Sequence, residues 1–113
     1  MTIERGTTQD VTITIRGYDL TSSDIYVTFK QGAKILTKKT MTSVSYANSV
    51  TTIVLTLSQA ETLYFENNKS GDLQVRWVDS NGNAKKTKTA TFNVDVCLYD
   101  AEIEKDDGGN ANT

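Results

Sequence analysis

A chain of 113 residues with 37% apolar content, no proline, no histidine and a single cysteine has the length of one domain, held by its core with no intrachain disulfide. Its formal net charge of −2 supplies no field for nucleic acid or an anionic membrane. Without histidine, Ser-His-Asp triads, Cys-His dyads and most zinc sites are excluded, and neither a phosphate-binding glycine loop nor a dinucleotide fingerprint is present. The reading is a non-enzyme without metal or cofactor. No run reaches the roughly 18–20 apolar residues of a membrane span, and Met1–Thr8 lacks the apolar core of a secretion signal. The expectation is a cytosolic product, or one assembled in the cytosol.

Threonine is abundant, and β-branched residues favour pleated, half-buried surfaces. Gln9–Arg16 alternates strictly, with Val11, Ile13 and Ile15 on one side and Thr12, Thr14 and Arg16 on the other. Such period-two alternation marks a strand with one buried face. Turn residues flank Leu20, and Asp24–Lys30 repeats the pattern with Ile25, Val27 and Phe29 inward. Gln31-Gly32-Ala33 reverses the chain into Lys34–Thr40, a lysine-rich segment suited to a sheet edge. Met41–Tyr46 and Thr51–Leu57, joined through Asn48-Ser49, form a second hairpin with Ile53, Leu55 and Leu57 inward.

Ser58-Gln59-Ala60-Glu61 matches a capping box, and Ala60, Leu63 and Tyr64 fall at i, i+3 and i+4. This predicts a short helical turn, closed by Asn67–Gly71, whose apolar stripe lids the core. Asp72–Val78 points Leu73, Val75 and Trp77 inward, and the lone Trp77 is expected at the centre of the core. A turn centred on Asn81-Gly82 leads into one long return strand, Ala84–Val96, with Ala90, Phe92, Val94 and Val96 inward. The acidic, Gly/Asn-rich tail 100–113 is expected to be largely disordered, its last eight or so residues lacking apolar groups to offset ordering entropy. The sum is an all-β, immunoglobulin-like antiparallel sandwich of about seven strands over 1–99, with one helical turn.

No Asp or Glu falls on an inward row, so no residue is assigned a catalytic, cofactor-binding or metal-binding role. Cys97 falls on the outward side of the last strand and reads as a small side chain covered by a neighbouring loop or subunit; a reactive thiol is the alternative. Lys34, Lys38, Lys39 and Lys85, Lys86, Lys88 read as solvated edge charge, with a nucleic-acid patch or a dock for a neighbouring copy's acidic tail as alternatives. Tyr18, Tyr26, Tyr46, Tyr64 and Tyr99 are candidates for an interface.

Several stretches resemble a family of small proteins encoded by phages and prophages of Firmicutes. They are Arg5-Gly6-Thr7-Thr8, Asp24–Phe29, Leu57-Ser58-Gln59-Ala60-Glu61-Thr62-Leu63-Tyr64-Phe65, Gln74-Val75-Arg76-Trp77 and Gly82. Over about Arg5–Leu98 the chain also looks like the amino-terminal β-sandwich of siphophage upper baseplate proteins. Ala60 stands where that family usually carries an acidic residue. The resemblance implies a structural or assembly protein of a phage tail or baseplate, located in the virion or in the host cytoplasm during assembly. Its implied partners are other virion or assembly proteins, with a homo-oligomer open and neither nucleic acid nor membrane engaged. A carbohydrate- or protein-binding module of a cellular protein is the alternative.

Overall fold

Two β-sheets face each other across a single apolar core in the computed structural model, which describes residues 1–105. Among the described residues there are nine strands and one helix: β1 (Thr2–Ile3), β2 (Gln9–Arg16), β3 (Asp24–Gln31), β4 (Lys34–Lys38), β5 (Ser43–Ala47), β6 (Val50–Leu57), α1 (Gln59–Tyr64), β7 (Ser70–Val78), β8 (Ala84–Lys86) and β9 (Ala90–Val94). The larger sheet runs β1-β9-β7-β3-β4, with β8 also paired to β7, and the smaller runs β2-β6-β5. The order β9-β7-β3 facing β2-β6-β5 is that of strands G-F-C facing B-E-D, so the sandwich is immunoglobulin-like. Beside β2, where strand A would lie, no strand stands among the described residues.

The alternating rows land where their periodicity places them. Val11 and Ile15 of β2, Ile25, Val27 and Phe29 of β3, Ile53, Leu55 and Leu57 of β6, and Leu73, Val75 and Trp77 of β7 are all buried. Both expected hairpins form, β3–β4 and β5–β6. Asn48 and Ser49 both take positive φ, the two-residue geometry that matches strand twist.

Several expectations are corrected. The sheets are not wholly antiparallel, because β1 pairs parallel to β9 and buries Ile3 completely. Two residues are too few to show a period, so nothing in the sequence marks β1. The long return strand is broken in two: Arg76 faces Lys86 but Leu73 faces Ala90, so Gln74 and Val75 oppose three residues, Thr87–Thr89. This is a β-bulge. Thr87 holds it, its amide donating to the Val75 carbonyl at 2.9 Å while its hydroxyl accepts from the Val75 amide at 3.2 Å. Phe92 and Val94 point inward as expected, whereas Ala90 beside the bulge and Val96 beyond the strand end are exposed. The turn before β8 is centred one residue earlier than expected. Gly82 donates to the Asp79 carbonyl at 2.9 Å and alone carries positive φ, +82°, while the Asp79 carboxylate accepts from the Asn81 and Asn83 amides.

Trp77 is buried, but it sits toward one end of the core against Tyr18, with ring centroids 5.3 Å apart. The other end is filled by Phe29, Phe65 and Phe92, fully buried and mutually packed with centroids 5.4–6.2 Å apart. Gly71, expected in the turn after the helix, lies inside β7 opposite Phe92. The Phe92 ring lies over the space a side chain at Gly71 would need.

Candidate functional site

The capping box of α1 forms as read: the Ser58 hydroxyl accepts from the Glu61 amide and the Glu61 carboxylate accepts from the Ser58 amide. The stripe it was expected to present does not form. Ala60 and Tyr64 are exposed, and the helix buries Thr62 with Phe65 just beyond its end. Six residues make less than two turns, so packing at the helix exit, and not the 3.6 period, decides which side chains go in.

What holds α1 is the segment Arg5–Thr7. The Arg5 side chain, 10% exposed, donates from Nε to the Phe65 carbonyl at 2.6 Å and from Nη2 to the Leu63 carbonyl at 3.1 Å, and pairs through Nη1 with Asp100. These are carbonyls that a helix end leaves without intrahelical donors. Hydrogen bonds from a charged group to such acceptors are worth about 1.5–3 kcal/mol each. The Gly6 amide donates to Thr62 Oγ1 at 3.0 Å, and that hydroxyl donates to the Thr7 carbonyl at 2.8 Å. Gly6 has φ +88°, and the Cys97 thiol lies 2.7 Å from where its Cβ would be. The Cys97 amide donates to Asn67 Oδ1 at 2.8 Å, tying the segment after β9 to the loop after α1. Cys97 is thus half-covered by the Gly6 loop, the packing role expected of it. Past Tyr99 the chain keeps contact: Gln59 pairs with the backbone of Ile103 at 2.7 and 2.8 Å. The rest of the expected disordered segment, 106–113, lies outside the described residues.

Of the polar side chains buried in the fold, each is spent on architecture. Gln31 bonds the backbone of Glu66 and Lys69 in the α1–β7 loop, and Thr51 accepts from the Leu20 amide while donating to the Tyr18 carbonyl. Sequence reading missed Gln31 because a glutamine ending a strand resembles a turn residue. The perturbed carboxyls have equally local causes. Burial pushes Glu61 up, but hydrogen bonds from Lys38 and Ser58 outweigh it and hold the carboxyl below its usual value. Asp19 is lowered by the Thr21 hydroxyl and amide, and Glu66 by Lys69. Among the described residues no group of three or more His, Cys, Asp or Glu is arranged to hold a metal ion, and no helix is long and apolar enough to cross a membrane.

The lysine clusters do not act as clusters. Lys38 pairs with Glu61 at 2.8 Å, while Lys34, Lys39 and Lys85 sit over the rings of Tyr64, Tyr26 and Tyr18 at 4.9, 5.7 and 5.5 Å. Tyr64 also accepts from the Ile35 amide at 3.2 Å, so α1 takes up one of the outward amides of the β4 edge. The outer face of the larger sheet is different. There Tyr26 faces Arg76 across β3–β7, and Arg76 faces Lys86 across β7–β8. A like-charged cross-strand pair is unfavourable, and among the described residues neither cation forms an ion pair. Tyr26, Arg76, Thr28, Thr37 and Ala84 line a concavity of about 350 Å³ on this face. Only the strand order brings Arg76 between Tyr26 and Lys86, residues far apart in the chain.

No family model and no curated protein matches the chain. Among solved structures, the M1 domain from titin is similar at 15% identity with a TM-score of 0.32, over 82% of this chain and 81% of that one.

Proposed function

We propose that this chain is a non-enzymatic structural or assembly module of a phage or prophage, a tail or baseplate component that acts through protein–protein contacts. The observation that carries this reading is the joint around Arg5. Arg5, Gly6, Thr7, Leu57–Phe65 and Trp77, which bear the resemblance to small phage proteins, are occupied in capping, covering and filling. On this reading the resembling residues serve to build the sandwich, and its outer face and edges are left for contacts. Quantitative mass spectrometry of purified particles tests it: the chain should be present at a fixed copy number in virions or tail assembly intermediates, and its gene should lie among tail or capsid genes. Absence from particles together with a location among metabolic genes would overturn the proposal.

The concavity around Tyr26 and Arg76 favours a second reading, a binding module for an acidic carbohydrate or acidic peptide. Calorimetric titration with acidic oligosaccharides and peptides separates the two. Binding abolished by Tyr26→Ala and Arg76→Ala would support the module, and no heat with any of them would remove it.

A further inference from the structure

The edges of the two sheets are treated unequally. β1 is two residues long, and β4 is five residues long, rich in lysine, with its Ile35 amide taken by Tyr64 and Lys38 paired with Glu61. β2 is eight residues long and without proline, and among the described residues it pairs with no strand but β6. Gly17 donates to the Ser49 carbonyl at 2.8 Å, which fixes the phase of this ladder: odd-numbered residues of β2 bond to β6. The amides and carbonyls of Asp10, Thr12, Thr14 and Arg16 therefore face away from the sheet. Alongside them runs a seam of about 190 Å³ between the sheets, lined by Ile13, Ile15, Leu73, Val75, Lys88 and Ala90. Ile13 is only half-buried in it. A long unpaired edge beside an apolar seam is an acceptor for another strand.

We infer that the occupant is β2 of a second copy, paired antiparallel about a two-fold axis at Ile13. Charge selects this partner and this register. With Ile13 opposite its own copy, Thr12 faces Thr14, and Asp10 of each chain faces Arg16 of the other. All four outward-facing residues then fall in hydrogen-bonded positions, giving up to about eight ladder bonds. Ile13 meets Ile13 in the closer, non-hydrogen-bonded pairing, which completes its burial. The interface is isologous, so it closes as a dimer and merges the two smaller sheets into one of six strands. β5, the other edge of that sheet, carries Ser43-Val44-Ser45-Tyr46-Ala47 and has no charges to pair in this way. The inference stands independently of the phage reading.

Sedimentation equilibrium and light scattering over a concentration series test it. The mass should rise from 12.4 kDa toward twice that value, and high salt should weaken the association. Thr14→Pro removes an amide that β6 does not use, so a folded variant should remain monomeric. Arg16→Asp sets carboxylates against each other at both ends and should weaken the dimer about tenfold. The swap Asp10→Arg/Arg16→Asp should restore it, with thermal melts checking each fold; Asp10 also accepts from Thr56 Oγ1 at 2.7 Å, so the swap is compared with Asp10→Asn. A chain that stays monomeric to about 1 mM, or a dimer indifferent to both Thr14→Pro and Arg16→Asp, overturns the proposal. So does an edge whose amides become protected from exchange only when a different protein is added.

Discussion

Gly71→Ala is the substitution for which sequence and structure give opposite signs. A glycine in a loop or strand is normally improved by alanine, by up to about 1 kcal/mol, because the unfolded chain loses freedom. Here a Cβ would lie 2.5 Å from the Lys30 carbonyl oxygen and 2.5 and 2.8 Å from Cζ and Cε1 of Phe92. Ordinary contact begins near 3.4 Å, so both neighbours must retreat by the better part of an ångström. The Lys30 carbonyl belongs to a ladder between β3 and β7, and the Phe92 ring is fully buried against Phe29 and Phe65. Overpacking of this kind costs about 1–3 kcal/mol, enough to outweigh the entropic gain. The net expectation is a loss of about 1 kcal/mol and a Tm lower by about 5 °C. Urea denaturation followed by Trp77 fluorescence measures it. Adding Phe92→Leu removes half of the clash, so the double variant should lose less than the sum of the two singles. A Gly71→Ala variant as stable as its parent would show that Phe92 does not lie over Gly71.

Trp77→Ala should cost about 3–5 kcal/mol by leaving a cavity between the two sheets; a thermal melt by circular dichroism that is unchanged would refute its burial. Arg5→Ala leaves the Leu63 and Phe65 carbonyls without a donor and should cost about 2–4 kcal/mol, with amide exchange quickening first in α1. Arg5→Lys should recover less than half, since an ammonium cannot reproduce the fork, and equal stability of the two variants would refute the joint. Glu61 is more acidic folded than unfolded, so its contribution is complete at neutral pH. That contribution is lost as pH falls below the usual 4.5 and through the folded value. Glu61→Gln should therefore flatten the acid side of the Tm profile between pH 7 and pH 3, and parallel profiles would show that the Lys38–Glu61 pair does not act.

Within the sequence itself, alternation was enough to find β2, β3, β6 and β7 and to name most of the core, because side-chain direction in a strand depends only on parity. The capping box was equally local, since its partners lie three residues apart. The rest required distant residues to meet. β1 has no period of its own and exists only because β9 offers it an edge. The bulge at Thr87–Thr89 comes from the register against β7 and not from the residues it contains. The meeting of Arg5 with α1 spans about sixty residues of chain, and so does the cover that Gly6 and Thr7 share with Thr62. The same holds for the surfaces. Residue types announced lysines and tyrosines, but tertiary packing decided that Lys34, Lys39 and Lys85 lie on tyrosine rings while Arg76 stands beside Lys86 on an open face. Sequence by itself determined which residues of each strand share a face. Only the tertiary structure decided which strands became neighbours and which edge was left without one, because strand pairing joins segments far apart in the chain while the alternating pattern is written within each.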